Sequence, residues 1–312
     1  MDISADNYYI SVDGGASKTE FCARNLATNK ETYFFSGSTN FKNTGVDVEM
    51  NLLNGGLIRI MDTLKIKPEQ VRGLVMGLAG CDSKKDCDYF ASLAALTGIK
   101  GENTYICNDC EIAFFSEGKA PGLSVNAGTG SISTGVASDF KKARSGGWGS
   151  PIGDEGSGGW IGIHVIRDLL RYCDGYGEYR RIFDIIRLHM QKDSFDELPH
   201  TLSLYTIEEI AGFAKLVMDE AEEGDGFCAT LTDRSAELVA EIAYSVYKKL
   251  NFSEESVVDV VMLGSLFKSG YYCEAFKKCL TEMAGKSNIN FCGQARRPVT
   301  GGITVAYSMF SG

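Results

Sequence analysis

"GLSVNAGTGSISTGV", Gly122 to Val136, decides the fold. An apolar run enters a turn of glycines and hydroxyl residues, and an alternating run leaves it. That is the pattern of a strand, a tight turn and an antiparallel strand. Roughly 115 residues earlier, "YYISVDGGASKTEFCAR", Tyr8 to Arg24, has the same design. Two such copies predict an α/β protein of two similar domains related by duplication, each opening on a hairpin. A Rossmann or P-loop site opens a helix directly after its glycine turn, so neither fits, and G-x-x-x-x-G-K-[ST] is absent.

Working outward, "ETYFFSG" reads as a third strand. Val46 to Leu64 reads as a helix with Val46, Met50, Leu53, Leu57, Ile60 and Leu64 on one face. "VRGLVMGLAG" is an apolar strand entering a small-residue loop. "DSKKDCDYFASLAAL" is a helix capped by Asp82 or Ser83, and "NTYICND" is another strand. After the second hairpin, helices are expected near 156–173, 176–190, 206–222 and 228–250. The strand "VVDVVMLGS", the helix "YYCEAFKKCLTEM", the strand "NINFC" and the closing segment "RRPVTGGITVAYSMF" complete the chain. The expected domains are 1–118, joined by the C-terminal segment 298–312, and 119–297.

At 312 residues, 44% hydrophobic and 23% charged with five prolines, the chain suits two globular cores and no long disordered linker. A net charge of -10 argues against nucleic acid or an anionic membrane as partner. The first residues, "MDISADNYYISV", hold acids where a signal peptide holds positive charge, and no apolar run approaches ~18 residues. A cytoplasmic protein is expected. Its ten cysteines are then reduced, small apolar residues. "CNDC", Cys107 to Cys110, has C-x-x-C spacing. It admits a redox or zinc role, or two incidental cysteines flanking Asp109; further ligands are lacking, since Cys81 and Cys87 have looser spacing.

The turns suggest their own chemistry. Successive backbone N–H groups in a Gly- and Ser/Thr-rich turn form a concavity suited to phosphate oxygens. Ser17, Thr19, Thr129 and Ser131 add hydroxyls, and Lys18 adds a positive charge. Asp13 ends the first strand. A carboxylate beside a phosphate is repulsive unless a cation lies between them, which points to Mg²⁺ held through water. A third glycine-rich stretch, "GGWGSPIGDEGSGGWIG" (Gly146 to Gly162), has eight glycines in seventeen residues, both tryptophans of the chain and the paired acids Asp154 and Glu155. It reads as a shaped loop held against a ligand.

These stretches together resemble the BadF/BadG/BcrA/BcrD ATPase family of the sugar kinase/hsp70/actin superfamily, and most closely its N-acetylglucosamine kinase branch. "DGGASKT" is similar to the first phosphate loop of that family, "NAGTGS" to the second, "VVMLGSLF" to the adenosine loop and "RRPVTGGITVAY" to the closing segment. Gly302 departs from the alanine of many relatives. The resemblance implies two actin-like (ribonuclease H-like) domains with a cleft between them, closing over ATP, Mg²⁺ and an amino sugar. By position it implies Asp109 as the base. It implies sugar contacts from Asn40, Gly130, Ser131, Gly147, Trp148, Gly149 and Asp154, and nucleotide contacts from Gly14, Gly15, Ser17, Lys18, Thr19, Gly128, Thr129, Gly264, Ser265 and Leu266. Ile132 departs from the polar residue of the human-type enzymes, which bears on sugar recognition. Glu155 has two open roles, the water shell of the metal or a structural hydrogen bond. The expected activity is transfer of the ATP γ-phosphate to a hydroxyl, O6, of N-acetylglucosamine or N-acetylmuramic acid, by a homodimer. The iron–sulfur dehydratase activators of the same family resemble "DKCAAGTGRF", which this chain lacks. A silent sugar-binding sensor is the third reading.

Overall fold

The computed structural model describes residues 7–15, 18–37, 46–81, 83–118, 121–137, 141–252, 256–285, 288–293 and 295–311. The chain divides into two compact units, 1–119 with 294–312, and 120–293. In chain order the first unit holds β1 (Tyr8–Gly14), β2 (Thr19–Asn25), β3 (Glu31–Ser36), α1 (Val46–Leu64), β4 (Val71–Leu78), α2 (Lys84–Ala95), β5 (Thr104–Cys107) and α3 (Asp109–Glu117). The second holds β6 (Gly122–Ala127), β7 (Ser131–Val136), β8 (Lys142–Gly146), α4 (Gly158–Cys173), α5 (Arg181–His189), α6 (Leu198–Leu202), α7 (Ile207–Glu222), α8 (Gly226–Leu250), β9 (Val258–Leu263), α9 (Gly270–Ala284) and β10 (Ile289–Gly293). The chain then returns to the first unit with α10 (Val299–Phe310).

Each unit is built on one five-stranded sheet, ordered β3-β2-β1-β4-β5 and β8-β7-β6-β9-β10. In both, three antiparallel strands are followed by two parallel to the first. The order matches strand for strand, which is the structural form of the sequence echo.

Strand β1 carries apolar residues on both faces, at Tyr8, Tyr9, Ile10 and Val12, because both faces are covered. Tyr8, Ile10 and Val12 pack with Leu53, Leu57 and Ile60 of α1 and Phe90 of α2. Tyr9 points the other way, into a cluster with Cys22, Val75 and the α10 residues Val299, Ile303 and Ala306. Helix α10 lies close enough that a Cβ on Gly301 would collide with the Ile112 carbonyl, and one on Gly302 with the Ser11 side chain. At Gly302 a side chain therefore has no room unless Ser11 shifts. The second unit has one cluster in which Leu123 and Val125 of β6 meet Ile161 and Val165 of α4, Val217 of α7 and Val239 of α8.

The short helix α6 was not expected, and two further elements differ from expectation. The helix anticipated over 176–190 spans Arg181–His189. The preceding residues close off α4 instead: the N–H groups of Tyr176 and Gly177 both donate to the Arg171 carbonyl, at 3.1 and 2.9 Å. Strand β8 was not legible, because "KARSG" is polar and its ladder runs along one side only, against β7. Between the two candidate caps of α2, Ser83 holds the position, its Oγ accepting from the Asp86 N–H at 3.2 Å; Asp82 lies outside the described residues.

Candidate active site

In the first unit the candidate residues gather beyond the C-terminal ends of parallel strands, the usual place for ligands in α/β sheets. Asp13 stands near the end of β1, directly opposite Glu20 on β2. Directly opposed residues point to one face of the sheet. Glu20 is 4% exposed and pairs with Arg297 at 2.8 Å, whose guanidinium lies 4.7 Å from the Tyr33 ring centre. Asp109 opens α3 just after β5. Burial, then the charges of Asp109 and Glu20, push the Asp13 carboxyl up to about 7, against a smaller opposing effect of Lys18. Two other carboxylates, Asp109 and Glu20, thus make themselves felt at Asp13.

Asp109 does not cap α3. The cap is Asn108, whose side chain accepts from the Cys110 N–H at 3.0 Å. Asp109 shares that donor at 3.0 Å from within the first helical turn. The glycine turn itself is closed by the Gly15 N–H donating to the Lys18 carbonyl at 3.0 Å, and Gly14 accepts from the Ala79 N–H at 2.7 Å. Lys18 is exposed, with Nζ 5.8 Å from the Phe35 ring centre, while Thr19 is fully buried. Ser17 and Asn40 lie outside the described residues.

In the second unit the glycine-rich loop is fastened to the second turn. The N–H groups of Gly147, Gly158 and Gly159 donate to the carbonyls of Ser131, Gly128 and Thr129, at 2.8, 2.7 and 3.1 Å. Ser131 is buried and its hydroxyl donates to the Glu155 carbonyl at 2.7 Å. Asp154 adopts a positive φ of 58° and accepts from the Gly149 N–H at 3.3 Å. A Cβ on Gly130 would stand 2.7 Å from Asp154 Oδ2, so glycine is what lets the carboxylate approach the turn. Burial raises the Asp154 pKa, opposed by the N–H groups of Gly149 and Ser131 and by Arg144. Trp148 is 73% exposed, its ring 4.8 Å from the Arg144 guanidinium. Trp160 instead packs on the core and lies 3.9 Å from the His164 ring. The Glu155 side chain is exposed.

Gly264 follows β9 with a φ of 98°, and a Cβ there would crowd Asn126 Oδ1 at 2.6 Å. Gly128 lies within van der Waals reach of Ser265. The second turn and the loop 264–266 therefore adjoin. Thr129 is exposed beside them, and Leu266 is buried in the core. Next to this loop a hollow of about 530 Å³ is lined by Ser265, Lys268 and Ser269 and by Ala211, Lys215 and Met218 of α7.

Sequence reasoning missed Glu20, Arg297 and Arg144. Glu20 could have been found by counting the hairpin register outward from the turn. Arg297 reaches Glu20 through the tertiary return of α10, and Arg144 stands on the unrecognised β8. Among the described residues no three His, Cys, Asp or Glu side chains cluster to hold a metal directly, and no helix is long and apolar enough to cross a membrane. None of the ten cysteines is joined in a disulfide.

Over 278 residues the chain is 29% identical to an N-acetylmuramic acid/N-acetylglucosamine kinase of Clostridium acetobutylicum, covering 88% of this chain and 90% of that one. Over 292 residues it is 27% identical to an N-acetyl-D-glucosamine kinase of Dictyostelium discoideum, with the same coverage. Its fold matches a crystal structure of a candidate N-acetylglucosamine kinase from Chromobacterium violaceum, with a TM-score of 0.69 at 18% identity over 97% of this chain and 99% of that one. The fold is the actin-like one of sugar kinases. The sequence profile of the BadF/BadG/BcrA/BcrD ATPase family matches residues 10–296, and the chain belongs to that family.

Proposed function

We propose that this chain is an ATP-dependent kinase that transfers the γ-phosphate to O6 of an N-acetylated amino sugar, N-acetylglucosamine or N-acetylmuramic acid. The observation that carries the reading is the end of β1, where Asp13 lies opposite Glu20, beside a glycine turn, and feels the charges of Asp109 and Glu20. The two relatives named as kinases of these sugars support the substrate class. A substrate from peptidoglycan breakdown, and with it a part in cell-wall recycling, fits the Clostridium relative.

Phosphoryl transfer asks the protein for positioning and charge stabilisation more than for covalent chemistry. Asp109 accepts a hydrogen bond from the sugar hydroxyl, orients its oxygen toward the γ-phosphorus and takes the proton as the new P–O bond forms. ADP leaves with the electrons of the broken bond. The phosphate oxygens would be met at the glycine turns after β1 and β6 by N–H groups other than those of Gly15 and Gly128, which already donate to the Lys18 and Gly130 carbonyls. The Gly146–Gly162 loop, braced by Asp154, offers Trp148 and the backbone of Gly147 and Gly149 to the sugar. A magnesium ion suits the end of β1, since an acid pushed up to about 7 by burial and like charges gains from a nearby cation. Asp13 would hold the ion through water, and bound with the nucleotide it supplies positive charge to the phosphates.

The test is a coupled ADP-release assay with N-acetylglucosamine, N-acetylmuramic acid, N-acetylmannosamine and glucosamine. Turnover should require ATP and Mg²⁺ and be fastest with one of the first two. ADP release indifferent to every sugar in the panel would sink the reading.

A further inference from the structure

The sequence singled out Cys107 and Cys110 by spacing, but the sulfurs the structure brings together are those of Cys81 and Cys87, 2.8 Å apart. Neither is joined in a disulfide. Cys81 follows β4 and is 4% exposed, while Cys87 lies in the first turns of α2 and is partly exposed. Backbone hydrogen bonds hold each in place: the Cys81 N–H donates to the Leu78 carbonyl and the Cys87 N–H to the Ser83 carbonyl, both at 3.0 Å. The cap of α2 thus sets the two side chains facing one another. A disulfide has its sulfurs about 2.05 Å apart, so the bond needs only a small side-chain movement.

We propose that Cys81 and Cys87 are a dithiol modification site, oxidised to an intramolecular disulfide by a low-molecular-weight disulfide of the glutathione type. The accessible Cys87 thiolate attacks one sulfur of the small disulfide, which expels one small thiolate and leaves a mixed disulfide. The Cys81 thiolate then attacks the Cys87 sulfur and expels the second small thiolate. Two protein S–H bonds and one small S–S bond are exchanged for one protein S–S bond and two small S–H bonds, so the oxidant is wholly consumed. Cys107 and Cys110, at 4% and 6% exposure, are shielded from the first attack. The bond would tether β4 to α2 beside the first glycine turn, since the Ala79 N–H already donates to the Gly14 carbonyl at 2.7 Å.

The experiment incubates the folded protein with oxidised glutathione, blocks remaining thiols by alkylation and digests with trypsin without reduction. Cleavage at Lys84 and Lys85 separates the two cysteines. The expected product is Gly73–Lys84 joined to Asp86–Lys100, two hydrogen atoms lighter than the sum of the free peptides and released by dithiothreitol. In Cys81→Ser the reaction should stop with one glutathione on Cys87. In Cys87→Ser the buried Cys81 should stay unmodified, with circular dichroism confirming the fold of both variants. A wild-type protein that keeps glutathione on Cys87 without the link, links other cysteines, or remains fully reduced overturns the proposal.

Discussion

The two glycine hairpins share strand order, pairing and turn position, and they differ in charge. In the first, Asp13 faces Glu20 across the ladder; in the second, Asn126 faces Ile132. Like charges directly opposed destabilise a sheet unless something compensates them. Arg297 pairs with Glu20, and Asp13 is left as a carboxyl with a pKa of about 7. The second hairpin needs no such compensation. Its side chains are absorbed in holding the Gly146–Gly162 loop, as the Ser131 hydroxyl on the Glu155 carbonyl shows. What the two hairpins share is therefore backbone geometry. What diverges is where the acid sits.

The contrast can be broken most strongly at Asp109. Asn108 caps α3, so Asp109→Asn should leave the melting temperature and the sugar KM nearly unchanged while kcat falls roughly 10²–10⁴-fold. Equal kcat for variant and wild type in the ADP-release assay would withdraw the base. Next comes Asp13→Ala against Asn126→Ala. The first should lower turnover by about 10²-fold and raise the Mg²⁺ concentration needed for half-maximal rate, and the second should cost less than about 10-fold. Similar losses in both would mean that the two hairpins are not divided by charge. Gly130→Ala should raise the sugar KM by roughly 10-fold, because the new methyl must displace the Asp154 carboxylate from its place 2.7 Å away.

The smallest effect concerns stability and pH. Folded, Asp13 keeps its proton up to about pH 7; unfolded, it loses it near the ordinary carboxylate value of 3.8. Between these values the native state binds the extra proton. Without a cation, stability should then decline as pH rises from about 4 to about 7, by up to a few kcal/mol, and level off above that. Thermal melts of wild type and Asp13→Asn across this range should diverge by that slope, and Mg²⁺ should reduce it. Parallel curves would show that Asp13 is not buried against like charge.

Much of this was legible in the sequence because the signals were local. Strand β1 alternates between two apolar clusters, α1 carries its apolar residues at helical spacing, and the hairpins announce themselves by their turns. Asp13 was found because it stands near the end of a strand, and Asp109, which opens α3, because its position matches the base of the family the stretch resembles. What could not be read depends on partners distant in sequence. Glu20 gains meaning from Asp13 across the ladder and from Arg297 far along the chain, Cys81 from Cys87 across a helix cap, and the shortness of α5 from the way Arg171 closes the preceding helix.

Helix α10 gives the chain a timing problem. The second unit is continuous, whereas one face of the first sheet waits for the last dozen residues: Tyr9, Cys22 and Val75 are covered by Val299, Ile303 and Ala306. On a ribosome the second unit can close on its own core while that face is still bare. Apolar sheet surface left open during synthesis is a target for chaperones and a seed for aggregation. A truncation before Val299 would make that transient state permanent. Loss of α10 should therefore be seen first in the insoluble fraction of the cell extract, before any assay of turnover is possible.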